Sequence, residues 1–158
     1  MKSHLNEHPQ PSVEPPGPIR KSPWSDVPDS DWYNWKWQIS HQINKPDDII
    51  ELFGLTDQEL QSFQMPGIFR FGITPYFANL IDSNNPACPL RRQVIPTIAE
   101  ANCTPDEMVD SLREDEHSPV PGLVHRYPDR VLMLVNTQCA SYCRFCTRSR
   151  LVGNPHQQ

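Results

Sequence analysis

Eighteen prolines against six glycines in 158 residues set the first limit on what this chain can fold into. Proline removes a backbone donor and clashes with the preceding helical turn, so helices must be short and often restarted. Seven of the eighteen fall in residues 1–30, among Ser, Glu, His and Lys. That mixture cannot bury enough apolar surface to offset its ordering entropy. Residues 1–30 are therefore expected to form a proline-rich disordered tail, with an extended arm packed on a partner subunit as the alternative.

Further along, the same residue type marks where helices begin. Ser30 is placed to cap a helix from Asp31, with Trp32, Trp35, Ile39 and Ile43 near one face and Trp37 off the stripe as a further packing anchor. Lys45-Pro46 interrupts it, and Pro46 suits the first turn of a second helix that stops at Gly54. Thr56-x-x-Glu59 has the form of a capping box, and Thr74-Pro75 opens another helix. Thr104-Pro105-Asp106-Glu107 combines a cap, a first-turn proline and a returning glutamate, so helical turns are expected to about Leu112. Residues 31–121 read as a helical N-terminal region.

The pattern changes after the acidic loop 113–121. Val131 to Val135 is a continuous apolar run of strand length, as expected for a parallel strand covered on both faces. Cys139 follows after three residues, placing the next segment on the loop at the C-terminal end of that strand, where α/β barrels collect their active sites. The expected fold class is α/β, with residues 122–158 as the start of a barrel.

Charge and apolar runs exclude several roles. A net charge of -5 supplies no basic field, so neither nucleic acid nor an anionic membrane is an expected partner. No apolar run approaches the ~20 residues of a bilayer span, and the first residues lack a signal-peptide core, so a cytoplasmic protein is expected. Five cysteines, three of them within eight residues, are not spaced like disulfide partners. In a reducing compartment such crowding points to metal.

Cys139-x3-Cys143-x2-Cys146 supplies three closely spaced thiolates, enough to hold three irons of a four-iron cube and leave the fourth open to an exogenous ligand. Zinc is the alternative, but it normally takes four protein ligands, and no fourth Cys or His lies at a familiar spacing. A redox pair would use Cys143 and Cys146 and leave Cys139 unexplained. The remaining alternative is three small buried residues on one helical face, which Arg144, Arg148 and Arg150 make hard to bury. Those arginines are suited to offset cluster charge or bind carboxylates and phosphates, with a solvated basic turn as the alternative. Cys88 and Cys103 read as structural thiols.

The cysteine motif with Arg144-Phe145 and Thr147-Arg148, and the segment His125-Arg126-Tyr127-Pro128-Asp129-Arg130 before it, closely resemble the lysine 2,3-aminomutase family. The resemblance takes in Asp31-Trp32-x-x-Trp35-x-Trp37-Gln38, Ile73-Thr74-Pro75-Tyr76, Ile95-Pro96-Thr97 and Glu114 through Leu123, so it covers roughly residues 30–153. It implies a 4Fe-4S cluster on Cys139, Cys143 and Cys146 that binds S-adenosylmethionine and cleaves it to a 5'-deoxyadenosyl radical. That radical takes a hydrogen from C3 of an amino acid held as its imine with pyridoxal 5'-phosphate, and the amino group migrates from C2 to C3.

By the same resemblance Arg126, Tyr127 and Arg130 grip the cofactor phosphate, for which the residues alone also allow a strand-entry turn with exposed arginines. Arg148 pairs with the substrate α-carboxylate, and Phe145 lies near the adenine of S-adenosylmethionine, where the best-known aminomutases have histidine. L-Lysine is the expected substrate, with glutamate open, and the full-length enzyme is expected to be a homo-oligomer. The imine-forming lysine, the glycine-rich strand and the acidic residues that select lysine's distal amine have no counterpart here, since the last lysine is Lys45. A barrel of this type needs ~250 residues, and only about 20 follow the first strand. The chain is thus expected to be a truncated N-terminal portion, inactive alone. The competing expectation is a non-catalytic metal-binding or subunit-interaction module.

Overall fold

The computed structural model describes residues 19–65 and 70–153. Among them six short helices precede a two-stranded hairpin: α1 (Asp29–Trp32), α2 (Trp35–Ser40), α3 (Pro46–Phe53), α4 (Asp57–Phe63), α5 (Pro75–Leu80) and α6 (Pro89–Val94), a 3-10 turn at Ile98–Ala101, then β1 (Leu123–Tyr127) and β2 (Arg130–Met133).

The local signals act where they stand. Pro46, Pro75 and Pro89 each occupy the first turn of a helix, where the missing donor costs nothing. Gly54 ends α3 in the left-handed region at φ 52. Thr56 and Glu59 close the capping box: the Glu59 amide donates to Thr56 Oγ1, and Glu59 Oε2 accepts from the Thr56 amide at 2.7 Å.

Four expectations change. The single helix from Asp31 is two, because Asn34 Oδ1 accepts from the Lys36 amide at 2.9 Å and starts a new helix there. Pro28, not Ser30, is the N-cap of α1. Trp32 is buried and Trp35 is turned out to solvent, while Trp37 packs between Trp32 and His41. Thr104 to Glu107 forms a turn, not a helix, held by the Glu107 amide on the Thr104 carbonyl at 3.1 Å. Met108 and Val109 are exposed there, so no packing stabilises a longer helix.

The expected tail of residues 1–30 lies outside the described residues through residue 18, and in the described part Lys21 and Trp24 contact the helical region. The Lys21 amide and Nζ donate to Asn79 Oδ1 and the Ile81 carbonyl at 2.7 and 2.9 Å, and Trp24 lies against Trp32. Ile43, Ile49, Phe53, Phe71, Ile73, Ile81, Val94 and Ile95 make the core, with Cys88 among them. Cys88 is thus structural as expected, while Cys103 is exposed.

Arg91 is wholly buried beside this core. Its Nε and Nη2 donate to Glu59 at 2.9 and 2.7 Å and its Nη1 donates to the Phe53 and Ser83 carbonyls at 3.1 and 3.0 Å, so α6 is bolted to α3 and α4. Burial pushes the Glu59 carboxyl up, but bonds from Arg91 and Thr56 outweigh it and hold the group below its ordinary value.

The apolar run at Val131 differs most from expectation. β2 pairs antiparallel with β1, Leu123 opposite Met133 and Val124 opposite Leu132, around the turn at Pro128 and Asp129. It is neither parallel nor covered on both faces, and all four of its residues are exposed. Hairpin closure needs only this short turn, whereas a parallel partner needs a crossover. The fold is therefore mixed, helices with an antiparallel pair, and no barrel is formed by the described residues.

Candidate functional site: a cysteine turn beside an arginine-lined cavity

The loop after β2 runs back to the helical region and pairs with it between its first and second cysteines. Ile43 and Ile73 exchange backbone bonds at 2.8 and 3.1 Å, Ile73 bridges Ser141, and the Tyr142 amide donates to the Gly72 carbonyl at 2.8 Å. Residues 139–150 form bends and turns, so the cysteines are not three buried positions on a helix. Cys139 and Cys143 are exposed, and Cys146 is half-buried.

Cys143 feels the other two thiols. Burial, then the neighbouring Cys146 and Cys139, push the Cys143 thiol above its ordinary value. Cys139 Sγ donates to the Ser141 carbonyl at 3.1 Å, within its own turn. No three Cys, His, Asp or Glu side chains among the described residues close on one metal position in this conformation. As a donor set, three thiols crowded on one turn fit an iron-sulfur cluster, which is held by cysteine thiolates.

Arg126, Tyr127 and Arg130, at the closed end of the hairpin, line a cavity of about 370 Å³ together with Glu114 and Arg148. Arg126 Nη1 donates to the Leu112 carbonyl at 2.9 Å, and Arg130 lies over the Tyr127 ring at 5.5 Å while bonding Asp129. Two guanidinium groups and a phenol around such a cavity fit a phosphate dianion. Arg148 also lines a second cavity of about 300 Å³ with Asn136, Thr137 and Cys139. It therefore stands between the cavity of Arg126, Tyr127 and Arg130 and the cysteine turn. Phe145, 79% exposed, lies instead on the rim of a third cavity of about 730 Å³ with Arg92, Arg144 and Glu100.

The arginines beside the cysteines are not a solvated basic turn. Arg144 bonds Glu100 at 2.7 Å and the Arg70 carbonyl at 3.0 Å. Arg150 pairs with Asp115 at 3.1 Å and Asp110 at 3.3 Å. Arg148 Nε and Nη2 both donate to Glu114 Oε1, at 3.0 and 2.7 Å. Glu114 is nearly buried and follows Arg113, a non-glycine residue at φ 51 whose left-handed backbone turns the chain inward. The pairing of Glu100, in the 3-10 turn, and of Glu114, in the acidic loop, with these arginines escapes detection from sequence, because nothing local to either glutamate signals a particular partner.

No family model matches the chain. Among curated proteins it is 47% identical over 131 residues to the L-lysine 2,3-aminomutase of Bacillus subtilis (strain 168), an alignment covering 82% of this chain and 28% of that protein. It is 43% identical over 136 residues to the L-lysine 2,3-aminomutase of Fusobacterium nucleatum, covering 85% of this chain and 32% of the relative. It is also 35% identical over 126 residues to the glutamate 2,3-aminomutase of Clostridioides difficile, covering 79% and 30%. The chain spans about a third of the length of the curated relatives it matches.

Proposed function

Because the chain belongs, over the portion it spans, to the lysine 2,3-aminomutase family, we propose that it is the cluster-bearing part of a radical S-adenosylmethionine amino acid 2,3-aminomutase acting on L-lysine. The observation that carries this reading is the cavity that gathers Arg126, Tyr127 and Arg130 with Arg148, which also lines the cavity of Cys139. That neighbourhood supports the reading, since such a reaction would use these groups together.

The cluster with S-adenosylmethionine supplies a hydrogen-abstracting radical, and pyridoxal 5'-phosphate supplies the conjugation that lets an amino group move from C2 to C3. Cys139, Cys143 and Cys146 would hold the cluster. Arg126 and Arg130, with the Tyr127 hydroxyl, would hold the cofactor phosphate and so fix the position of its ring. Arg148 would bind the amino acid α-carboxylate and orient C3 toward the cluster side. Glu114, already on its Nε edge, keeps that guanidinium from swinging. Phe145 would flank the adenine from its exposed place beside the turn. β2 would be the first strand of a partial barrel, taking a parallel neighbour on its unpaired edge. The whole enzyme would be a cytoplasmic homo-oligomer.

Anaerobic reconstitution with iron and sulfide should give a four-iron cluster whose spectrum responds to S-adenosylmethionine. Tight stoichiometric zinc with no cluster would overturn the assignment. The exposed apolar residues of β2 favour one other reading, a metal-binding or subunit-interaction module without catalysis. In that case the reconstituted spectrum would not change on adding S-adenosylmethionine.

A further inference from the structure

The cysteine turn depends on a residue far away in sequence. Gln42 Nε2 donates to the carbonyls of Cys139 and Ala140 at 2.9 and 3.2 Å, across 97 and 98 residues. One primary amide has two protons, so it can satisfy two consecutive carbonyls and thereby orient the peptide that follows Cys139.

Gln42 is held in place from behind. The next residue, Ile43, is buried and pairs through both backbone groups with the fully buried Ile73, which bridges Ser141. Residues 42–43, 72–73 and 141–142 thus form a small ladder rooted in the helical core. Gly72 gives the amide its room: a Cβ there would stand 3.0 Å from Gln42 Nε2 and 3.5 Å from the Tyr142 ring. A side chain at residue 72 would therefore press on the amide and shift it by a few tenths of an ångström.

We propose that Gln42 is a positioning residue for the first cluster thiol, fixing the Cys139–Ala140 backbone from the helical region so that Cys139 is presented with Cys143 and Cys146. The inference rests on the reading of these three cysteines as cluster ligands. Without the amide, the turn keeps its other anchors at Gly72 and Ile73, but the peptide bearing Cys139 loses both of its long-range bonds.

The test uses the whole 158-residue chain, anaerobically reconstituted with iron and sulfide, in three forms: unaltered, Gln42→Glu and Gln42→Ala. Glutamate has nearly the same shape but, ionised, no proton to donate; alanine removes the donor without placing a charge against the carbonyls. Two hydrogen bonds at ordinary strength make the expected loss of cluster retention under chelator challenge about tenfold or more in both variants. The electron paramagnetic resonance spectrum of the residual reduced cluster should also shift, and circular dichroism should stay that of the unaltered chain. In the metal-free chain, iodoacetamide should modify Cys139 about tenfold faster in either variant, with exposed Cys103 as the unchanged reference. Gln61→Glu, an exposed change on α4, should alter none of these.

If both variants retain the cluster and alkylate as the unaltered chain does, the role of Gln42 is overturned while the cluster assignment stands. If the unaltered chain takes up zinc and no cluster, the assignment fails and this inference with it. Should Gln42→Glu lose its helical signal, the alanine form decides by the same readouts.

Discussion

Arg91 and Arg148 each meet a glutamate at 2.7 Å, and they serve opposite ends. Arg91 in the helical region is completely enclosed, and all three of its nitrogens are bonded to Glu59 or to backbone carbonyls. Arg148 beside the hairpin keeps 37% of its side chain exposed, uses Nε and Nη2 on one oxygen of Glu114, and lines two cavities. A saturated guanidinium holds helices together; an unsaturated one beside open space is able to meet a ligand. The same contrast runs through the surrounding apolar residues. Ile49 and Ile73 are fully buried, whereas Val131, Met133 and Val135 are more than half exposed.

The largest effect should come from breaking the enclosed pair. Arg91→Met leaves a buried carboxylate unpaired and should lower stability by about 3–5 kcal/mol in urea unfolding. Ile49→Ala, which opens a cavity in the helical core, should cost about 2–5 kcal/mol by the same measurement. A loss below 1 kcal/mol in either would mean that the helical region is not the stable half.

Acid should act on the same pair. Glu59 is held below its ordinary value, so its contribution is present above the unfolded carboxyl value of about 4.3 and is lost as pH falls through the lower folded value. The midpoint of urea unfolding should therefore drop below about pH 4, and Arg91→Met should flatten that part of the profile.

Smaller effects are expected in the other half. Gly153 has φ 70, and a Cβ there would stand 2.6 Å from Tyr142 Oη. Gly153→Ala should cost about 1–2 kcal/mol and speed exchange of the Gly153 amide, which bonds the Thr137 carbonyl, without disturbing the amides of α3 or α4. Val131→Ala on exposed β2 should change stability by no more than about 0.5 kcal/mol. A cost as large as that of Ile49→Ala would show that something covers this hairpin in solution, and the contrast between the regions would fail.

Much of the helical half was legible because its signals act over four residues or fewer. Pro46, Pro75, Gly54 and the Thr56 to Glu59 box sit where their stereochemistry demands. The misreadings arose where two local preferences competed. Asn34 captured the Lys36 amide and split a helix that the tryptophan spacing made continuous, and Trp35 went to solvent as a result. Val131 to Met133 had the composition of a buried parallel strand, yet a short turn at Pro128 and Asp129 brought β1 alongside first.

The caps at Gly54, Thr56 and Thr74, the crowding of Cys139, Cys143 and Cys146, and the presence of arginines around them follow from the chain alone. Each depends on bond geometry or spacing within one segment. That Glu59 neutralises Arg91, that Glu114 holds Arg148, and that Gln42 reaches the Cys139 carbonyl are consequences of the packed fold. It alone also brought Arg126, Tyr127 and Arg130 into one cavity with Arg148. Such partners are selected by the packing of elements tens of residues apart, where many carboxylates and amides compete and local sequence does not rank them.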